Sequence, residues 1–520
     1  MKKFFNTSGP CWPDEHYMLP AQERCQGLLE LIEQKQYFII HAARQSGKTT
    51  LLFDLAKQLN ESGDYYALYC SLESADKIVD PEKGIPAIVR TLRTQIQLDS
   101  ILSQFPFAEN IDYDEFNIIL RVSLTYFCKS LDKPLVILFD EIDCLSNGTL
   151  ISFLRQLRDG YVNRGLIPFV NSVALVGLRN IRDYKARVRD DRETLGSGSP
   201  FNIASDIFTL RNFYQEEVSQ LYAQHTEQTG QEFPADVVET AYHYTQGQPW
   251  LTSAIPRQIV KNLLKYNYSQ PITVDHVEQA AKTIIKRRDV HIDSLLERLK
   301  EERVERFVEP VITGEIAQYT LLDDDYQYVL DLGLLREFEG RLIPSNPIYG
   351  EVMLHHLTNL YYKEMEERRY PPTAPAYLVD GRLDIKRLLT DFQQFWRENS
   401  EIWQEKYQYK EAAPHLVMNA FMMRVANAGG RISRELGSGR GRLDLCLHYG
   451  EYRYPIELKI RYGDKTYEKG KKQIAGYMDK MGCTEGWLVV FDRRKRSTWS
   501  KKIFWRTAEV EGKIIHTVGC

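Results

Sequence analysis

Residues 42–49 are Ala42-Ala43-Arg44-Gln45-Ser46-Gly47-Lys48-Thr49, which follow the spacing Gly-x-x-x-x-Gly-Lys-Ser/Thr apart from an alanine at the first position. The apolar run Tyr37-Phe38-Ile39-Ile40 precedes this stretch, and the helical pattern Thr50-Leu51-Leu52-Phe53-Asp54-Leu55-Ala56 follows it. A loop of this kind between a strand and a helix is the context in which such a sequence binds phosphate. The stretch therefore predicts a phosphate-binding loop at the start of an α/β fold.

The residue types of this loop suit a nucleoside triphosphate. Gly47 lets backbone amides close around phosphate, Lys48 can reach the β- and γ-phosphates, and Thr49 can offer its hydroxyl to Mg²⁺. Ser46 and Thr50 flank these residues and complete the predicted nucleotide-binding set. The alanine at position 42 affects the expected conformation of the first turn of the loop and leaves the expected phosphate contacts unchanged.

A second part of the predicted nucleotide site lies downstream, at the end of the run Leu135-Val136-Ile137-Leu138-Phe139-Asp140-Glu141. This run has the form of a buried strand that ends in two carboxylates. Asp140 is expected to hold the Mg²⁺ water shell, and Glu141 is expected to polarise the attacking water. The predicted cofactors are ATP and Mg²⁺. One alternative stays open, which is that the protein binds ATP without hydrolysing it quickly, as related switch proteins can.

The rest of the chain divides into regions of different character, as expected for 520 residues. Strand-like runs alternate with helical periodicities up to residue 213, which predicts a parallel α/β sheet with the nucleotide at its carboxyl edge. The domains predicted from these patterns are a P-loop core over 1–213, a helical lid over 214–288, a winged helix over 289–360, a linker and helix over 361–400, and a basic module over 401–520.

Charge is unevenly distributed along the chain. The formal net charge is only −4, but residues 401–520 carry 23 Lys and Arg against 14 Asp and Glu, whereas the remainder carries 44 against 57. Phosphate neutralisation by cations supplies most non-specific affinity for nucleic acid. The basic module is therefore the part expected to meet a polyanion, with a solvated charged surface as the alternative.

The cysteines and the apolar segments bear on the compartment. The eight cysteines lack a Cys-x-x-Cys pair and zinc-spaced histidine partners, so free thiols in a reducing compartment are expected. The N-terminus lacks the apolar core of a signal peptide, and the longest apolar stretch, 166–178, is too short to span a bilayer. The expected location is the cytoplasm, without a membrane partner.

The basic module contains a second set of candidate catalytic residues. Asp444 and Glu457 lie on two successive strand-like runs, 442–447 and 454–460, which a hairpin would bring together. Two carboxylates near a shared point make a hard-oxygen site for Mg²⁺ or Mn²⁺. Lys459 is two residues beyond Glu457, so it falls on the same face of the strand, where it can orient or help to deprotonate a water.

Four segments of the N-terminal half resemble the bacterial AAA-like ATPases of the STAND group: Arg44–Thr50, Phe139–Asp143, Val176–Arg179 and Gly247–Trp250. The likeness covers roughly residues 10–285. It implies that Arg179 acts as a sensor of the γ-phosphate and that Pro249 is a lid residue near the adenine. The order of segments between Tyr328 and Val352 is similar to the winged helix that follows such ATPase cores.

The basic module resembles the PD-(D/E)XK nuclease superfamily through Gly441–Leu445 and Ile456–Lys459, with Leu443 where a proline is usual. The resemblance implies a mixed α/β, restriction-endonuclease-like domain. Gln473 and Tyr477 look like the Gln-x-x-x-Tyr helix of one branch of that superfamily, and Glu435 supplies a further carboxylate. These three residues join the predicted catalytic set, with surface or packing roles as the alternative for Glu435 and Tyr477.

Together these features predict a cytoplasmic, multidomain ATPase switch that governs a metal-dependent nuclease. DNA is expected as its substrate rather than RNA, and a homo-oligomer and a protein trigger are considered as further partners. Fusions of this kind look like prokaryotic systems that deal with foreign or mobile nucleic acid.

Two rival hypotheses come from other classes of protein. In the first, the protein is a signalling switch whose nuclease-like domain binds nucleic acid without cleaving it; the presence of Asp444, Glu457 and Lys459 argues against it. In the second, the protein is a helicase-like motor; no convincing helicase motif lies between the two halves of the nucleotide site.

Overall fold

A computed structural model describes most of the chain. The described residues are 2–107, 114–178, 204–287, 290–313, 323–367, 377–379, 382–406, 413–426, 430–433, 445–461, 465–492 and 498–520. They form two compact units. The N-terminal unit comprises Met1–Leu295 with Tyr319–Arg336, and the C-terminal unit comprises Leu296–Gln318 with Glu337–Cys520.

The N-terminal unit is built on a five-stranded sheet with the order β2-β3-β4-β1-β5. Every pairing in it is parallel. The strands are β1 (Tyr37–His41), β2 (Tyr66–Ser71), β3 (Leu135–Asp140), β4 (Ser172–Gly177) and β5 (Ala204–Thr209). Strands β3 and β4 are buried throughout, which explains why they are near-continuous apolar runs without alternation. The sequence prediction of a parallel α/β sheet is confirmed.

Helices cover both faces of this sheet, as parallel strands require. They are α1 (Leu28–Glu33), α2 (Lys48–Ser62), α3 (Pro81–Leu98), α4 (Ile119–Ser130) and α5 (Asn147–Asn163). One apolar core joins Ile39 and Ile137 to α3, α4 and α5, and the other joins Phe38 and Leu138 to α1 and α2. Leu55 of α2 is wholly buried there, a burial that contributes about 1.5–3 kcal/mol.

A helical segment follows the sheet in the predicted lid region. It contains α6 (Gln215–Thr229), α7 (Ala235–Thr245), α8 (Pro249–Arg257) and α9 (Val274–Lys286), with a π-helical turn at Gln258–Leu263. Gly247, between α7 and α8, has φ +69°, and a Cβ there would lie 1.9 Å from the Phe213 carbonyl oxygen. Only glycine permits this close approach of two backbone segments.

The region predicted to be a winged helix contains short helices, two strands and a long helix. These are α10 (Val290–Leu299), α11 (Glu302–Thr313), α12 (Asp324–Asp331), β6 (Leu335–Phe338), β7 (Arg341–Pro344) and α13 (Pro347–Glu367). Glu339 and Gly340 connect the two strands with φ +50° and +71°. The winged-helix assignment and its boundaries, 289–360, stay a prediction.

The C-terminal unit contains a six-stranded mixed sheet with the order β10-β11-β12-β13-β15-β14. After the short strands β8 (Leu378–Val379) and β9 (Arg382–Leu383), its strands are β10 (Gly430–Ser433), β11 (Leu445–Tyr449), β12 (Tyr452–Arg461), β13 (Glu485–Asp492), β14 (Phe504–Val510) and β15 (Lys513–Gly519). The pairs β12·β13 and β13·β15 are parallel, and the others are antiparallel.

Helices pack on both faces of the mixed sheet. They are α14 (Ile385–Lys406), α15 (Ala413–Ala426), α16 (Lys465–Met481) and the short α17 (Trp499–Lys502). Helix α16 is the crossover between the parallel strands β12 and β13, and it packs through Ile474 and Met478. On the opposite face, Phe392 and Trp396 of α14 contact Phe491 of β13. Helix α14 begins in the region, 361–400, for which the sequence predicts a linker and a helix.

Two expectations drawn from composition can be compared with this structure. All eight cysteines are free thiols, as expected. Within the described part of the chain, no helix combines the length and the apolar character needed to cross a membrane.

Candidate functional site

The loop between β1 and α2 has the backbone of a phosphate-binding loop. Gln45 has φ +56° and Gly47 has φ +92°. A Cβ on Gly47 would lie 2.9 Å from Nη2 of Arg24, so space and backbone both favour glycine. Ala42 does not adopt a positive φ, and its N–H donates to the Gly177 carbonyl at 3.2 Å. The alanine is therefore accommodated where the family pattern has its first glycine.

Lys48 is buried at the mouth of this loop. Its Nζ donates to the carbonyl oxygens of Ala42 at 3.0 Å and Ala43 at 3.1 Å. Burial lowers the pKa of Lys48, and the carboxylates of Glu141, Asp143 and Asp140 oppose that shift. An ammonium held by neutral carbonyls in a buried position gains strongly from an anionic partner. Lys48 is thus suited to bind phosphate.

Thr49 and Asp140 join the two halves of the predicted nucleotide site. The Thr49 hydroxyl donates to the Asp140 carboxylate at 2.8 Å, and Tyr69 donates to the same oxygen at 3.2 Å. Asp140 is only 1% exposed. A hydroxyl and a carboxylate at this separation fit Mg²⁺, which binds few protein oxygens and keeps waters and phosphate oxygens as further ligands.

Glu141 leaves the end of β3 in a left-handed conformation, with φ +57° and ψ +40°. Such a backbone costs about 1–3 kcal/mol for a residue other than glycine. Burial raises the pKa of Glu141 to about 7, with Asp143 and Asp140 adding to the shift. A carboxylate with that pKa can accept a proton from water near neutral pH.

Asp143 connects this site to the end of β4. Its carboxylate accepts a hydrogen bond from the Leu178 N–H at 2.9 Å. A Cβ on Gly177 would lie 2.5 Å from the same oxygen, so β4 must end in a residue without a side chain. The predicted sensor, Arg179, is the next residue after Leu178 and lies outside the described residues.

The two remaining loop residues of the predicted nucleotide-binding set have different surroundings. The Thr50 hydroxyl accepts from the Cys11 N–H at 3.0 Å, which ties the N-terminal segment to α2. The Ser46 hydroxyl is buried and has no hydrogen-bond partner within the described chain. A buried, unpaired hydroxyl beside a phosphate-binding loop is able to bond a ligand.

Arg24 supports the phosphate-binding loop through hydrogen bonds, and no pattern in the sequence predicted this role. Its guanidinium donates to the Ser46 carbonyl at 3.0 Å through both terminal nitrogens, and to the Arg211 carbonyl at 2.9 Å. It lies 4.5 Å from the centre of the Phe213 ring. Burial lowers the pKa of Arg24 to about 10, which leaves it charged at neutral pH. Arg24 therefore fixes the loop carbonyl that precedes Gly47.

The predicted lid reaches the loop through Gln248. Its side-chain oxygen caps α8 by accepting from the Leu251 N–H at 2.7 Å, and its amide nitrogen lies 3.4 Å from the Gln45 carbonyl. Pro249 is the first residue of α8, where its missing N–H costs nothing. Its predicted position near an adenine stays a prediction, and Gln248 is a contact that the motif did not reveal.

Residues that follow the predicted lid region also contact the loop within the N-terminal unit. Arg44 donates to the Ser294 hydroxyl at 2.7 Å, and a Cβ on Gly333 would lie 2.6 Å from the Ala43 Cβ. His41, at the end of β1, lies 3.4 Å from the Asp331 carboxylate. These contacts place the α12 turn against the phosphate-binding loop.

The second candidate site lies on β12 in the C-terminal unit. Glu457 has no exposed surface, and Nζ of Lys459 lies 2.5 Å from its carboxylate. The two side chains share one face of the strand, as the spacing of two predicts. Asp444 and Glu435 lie outside the described residues; Leu445, which follows Asp444, pairs with Ile456 of β12.

Helix α16 covers this face and carries the other two predicted residues. Tyr477 is 5% exposed and packs in the core between helix and sheet, whereas Gln473 is half-buried. A Cβ on Gly470 would lie 2.8 Å from Leu488 and 3.4 Å from Cγ of Lys459, so this glycine lets α16 approach Lys459. The catalytic roles of Gln473 and Tyr477 stay predictions.

An ion pair that the motif did not include extends the same face. Arg461 lies two residues beyond Lys459, and its guanidinium is 3.2 Å from Asp492 at the end of β13. Arg461 also lies 4.9 Å from the centre of the Tyr467 ring on α16. Within the described chain, no group of three or more His, Cys, Asp and Glu side chains has the arrangement of a metal site.

Comparison with known proteins gives two family matches. Residues 16–354 match the family described as an AAA-like domain. Residues 385–495 match a family described as a domain of unknown function, DUF8371. No curated protein matches the chain.

Three of the solved structures similar to this chain are the following. A Walker-type ATPase of Pyrococcus abyssi has 12% identity and a TM-score of 0.47, with 67% of this chain and 99% of that chain covered. A RuvB variant of Thermotoga maritima has 14% identity and a TM-score of 0.34, covering 62% and 90%. Cdc6p of Pyrobaculum aerophilum has 13% identity and a TM-score of 0.34, covering 62% and 88%.

Proposed function

Because this chain belongs to the AAA-like domain family, we propose that it is an ATP-dependent switch of the STAND type that controls a C-terminal metal-dependent nuclease. The observation that carries the ATPase half is the 2.8 Å hydrogen bond between Thr49 and Asp140. The observation that carries the nuclease half is the contact between Glu457 and Lys459 on β12.

In the proposed ATPase site, this chain's own groups bind and orient the nucleotide. Lys48 would bind the β- and γ-phosphates in place of the carbonyls of Ala42 and Ala43, and Gly47 would let backbone amides point towards them. Thr49 and Asp140 hold Mg²⁺, which supplies neutralisation of phosphate charge when bound. Glu141 orients the attacking water and accepts its proton, as its pKa of about 7 suits.

We further propose that lid residues report the state of the nucleotide. Gln248 already approaches the loop at the Gln45 carbonyl, so a movement of α8 would change this contact. Pro249 would pack near the adenine, and Arg179 would bind the γ-phosphate, as the resemblance to STAND ATPases implies. The 289–360 winged helix and the 361–400 linker would carry this signal to the 401–520 module.

The proposed nuclease site combines Glu457 with Asp444 as ligands of Mg²⁺ or Mn²⁺. Lys459 orients the attacking water, since it lies against the Glu457 carboxylate. Glu435 is a further candidate ligand, and Gln473 and Tyr477 on α16 complete the proposed site. The bound ion supplies charge stabilisation at the phosphodiester, and the carboxylates position it.

DNA is the proposed substrate, and a prokaryotic defence role in the cytoplasm is the proposed setting. The basic balance of residues 401–520 supports a nucleic-acid partner. A homo-oligomer and a protein trigger belong to the proposal as partners. The alternative function is a switch whose C-terminal unit binds nucleic acid without cleaving it, and the complete burial of Glu457 favours that alternative.

A cleavage assay separates these two functions. Labelled duplex DNA, single-stranded DNA and RNA are incubated with the full chain, with and without ATP and with Mg²⁺, Mn²⁺ or EDTA. We expect metal-dependent cleavage of DNA, modulated by ATP. The Glu457→Gln variant should lose cleavage by roughly a thousandfold, because an amide holds a divalent ion poorly.

The matched control is Glu509→Gln, which removes an exposed carboxylate from β14 of the same unit. It should cleave like the wild type. Cleavage that persists unchanged in Glu457→Gln would overturn the nuclease assignment. DNA binding without cleavage by the wild-type protein would support the alternative.

A further inference from the structure

A cavity of about 850 Å³ lies in the C-terminal unit, at the amino ends of β12 and β13. Its wall includes Tyr452 and Tyr454 of β12, Trp487 of β13 and His516 of β15. Side chains alternate along β12, so Tyr452 and Tyr454 face away from the side that carries Glu457 and Lys459. The cavity is therefore separate from the proposed nuclease site.

Aromatic rings form one wall of this cavity. The rings of Trp487 and His516 are 5.8 Å apart and nearly parallel, at 25°. Tyr454 lies 5.8 Å from Trp487, and Tyr452 at the rim is 40% exposed. Trp487 and Tyr454 are 3% and 8% exposed, so the exposed ring of Tyr452 is the surface on which a planar ligand can stack.

Cations line the rim. Arg382 and Lys386 are exposed and face the cavity, and the Arg382 guanidinium lies 4.6 Å from the centre of the Tyr452 ring. Of the two acidic residues in the wall, Glu485 is already hydrogen-bonded to His516 at 2.6 Å. The remaining balance of charge at the rim is positive, which favours an anionic group on the ligand.

A series of hydrogen-bonded side chains crosses the cavity wall beside the rings. His516 Nε2 bonds the Glu485 carboxylate at 2.6 Å, and Nδ1 lies 2.9 Å from the Thr507 hydroxyl. Since a carboxylate only accepts, a neutral His516 donates from Nε2 and accepts from Thr507 at Nδ1. The oxygens of Thr507 and Glu485 keep lone pairs that can accept from the amino groups of a ligand.

We propose that this cavity binds a nucleobase that carries a phosphate group. The stacking wall would bind the base, and the acceptors beside it would bind the amino groups of the base. The cations at the rim would bind the phosphate. The volume lies in the range of small-molecule sites. The nucleoside phosphate is either a free nucleotide or one unit of a single strand. This site is additional to the ATPase and nuclease sites and does not depend on either.

The test uses the full-length Lys48→Ala protein, so that the P-loop does not compete for nucleotide, in EDTA, so that no strand is cleaved. One arm titrates the four common nucleoside monophosphates by calorimetry, and the other titrates a labelled oligothymidylate by fluorescence anisotropy. Adding Tyr452→Ala should weaken binding about tenfold by removing the stacking ring. Tyr452→Phe keeps the ring and should restore the affinity.

The cationic rim is tested in the same background. The pair Arg382→Ala and Lys386→Ala should weaken binding about tenfold or more, because charge-assisted bonds to phosphate are lost. The matched pair Arg387→Ala and Arg397→Ala removes two exposed cations of α14 that do not line the cavity, and it should have no effect.

The two arms identify the source of the ligand. Binding of a monophosphate indicates a free nucleotide, and binding of the oligonucleotide alone indicates a strand; both support the site when Tyr452→Ala weakens them. Absence of binding in both arms overturns the proposal, as does equal weakening by the Arg387 and Arg397 pair. Cleavage by the Tyr452→Ala chain, measured separately, keeps this outcome distinct from that of the proposed nuclease.

Discussion

The P-loop site and the Glu457–Lys459 face bring their side chains together in different ways. Thr49 and Asp140 lie 91 residues apart in sequence, and their side chains meet at 2.8 Å. Glu457 and Lys459 are two residues apart on one strand, and alternation alone brings them to 2.5 Å. A contact between residues of two distant motifs supports the interpretation of both motifs. A contact between two residues of one strand is expected from strand geometry alone and supports neither residue's role. The chemistry of the N-terminal unit therefore has stronger structural support.

The two sites also differ in what surrounds the carboxylate proposed to act in each. Glu141 is partly exposed, and its pKa is raised to about 7 by burial and by neighbouring carboxylates. Glu457 is wholly buried, with an ammonium against it. One carboxylate is thus prepared to take up a proton, and the other lies buried against a lysine side chain. The predictions below test whether the two sites act separately.

The largest expected effect is on ATP hydrolysis. Glu141→Gln should reduce phosphate release about a thousandfold, because the amide cannot act as a general base. ATP binding, measured by calorimetry, should persist. The exposed control Glu61→Gln on α2 should hydrolyse normally, and so should Glu457→Gln, since that residue belongs to the other unit. Equal hydrolysis by wild type and Glu141→Gln would remove Glu141 from the mechanism.

A smaller loss is expected in ATP affinity. Lys48→Ala should weaken ATP binding about a hundredfold, because it removes the buried ammonium that faces the phosphates. Lys57→Ala, on the same helix but with a side chain 69% exposed, is the matched control and should bind normally. DNA cleavage by Lys48→Ala should continue and no longer respond to ATP. A complete loss of cleavage would show that the two sites are not separable.

The smallest of these effects is a pH dependence. With a pKa of about 7, Glu141 is mostly protonated at pH 6 and mostly ionised at pH 8. A base acts when ionised, so hydrolysis at saturating ATP should rise roughly tenfold over this range. The residual rate of Glu141→Gln should not rise in the same way. A wild-type rate that falls with pH would contradict the assignment.

The sequence predicted the features that have local or periodic signals. The apolar runs gave the strands of the parallel sheet, and the motif around Lys48 gave the loop and its position before α2. Spacing by two placed Glu457 and Lys459 on one face. Each of these follows from a few neighbouring residues, which is why a single sequence was sufficient.

The features that were missed depend on single residues brought together from distant segments. Arg24 binds the Ser46 carbonyl from a short turn before β1, and Gly333 approaches Ala43 from a segment after the lid. The cavity beside Trp487 draws on five strands, β9, β12, β13, β14 and β15, and on α14. No periodicity marks such residues, because the partner that explains each one is far away in the chain. The predicted roles of Asp444, Glu435 and Arg179 fall outside the described residues.

The position of Arg24 has a practical consequence for anyone who shortens this protein. The guanidinium that fixes the Ser46 carbonyl and the Cys11 amide that bonds Thr50 both precede the first strand of the sheet. A fragment that starts at β1 would keep every residue of the recognised loop and lose the groups that hold two of them in place. The leading thirty or so residues are thus part of the nucleotide site's framework, and domain boundaries drawn from the motif alone would cut through it.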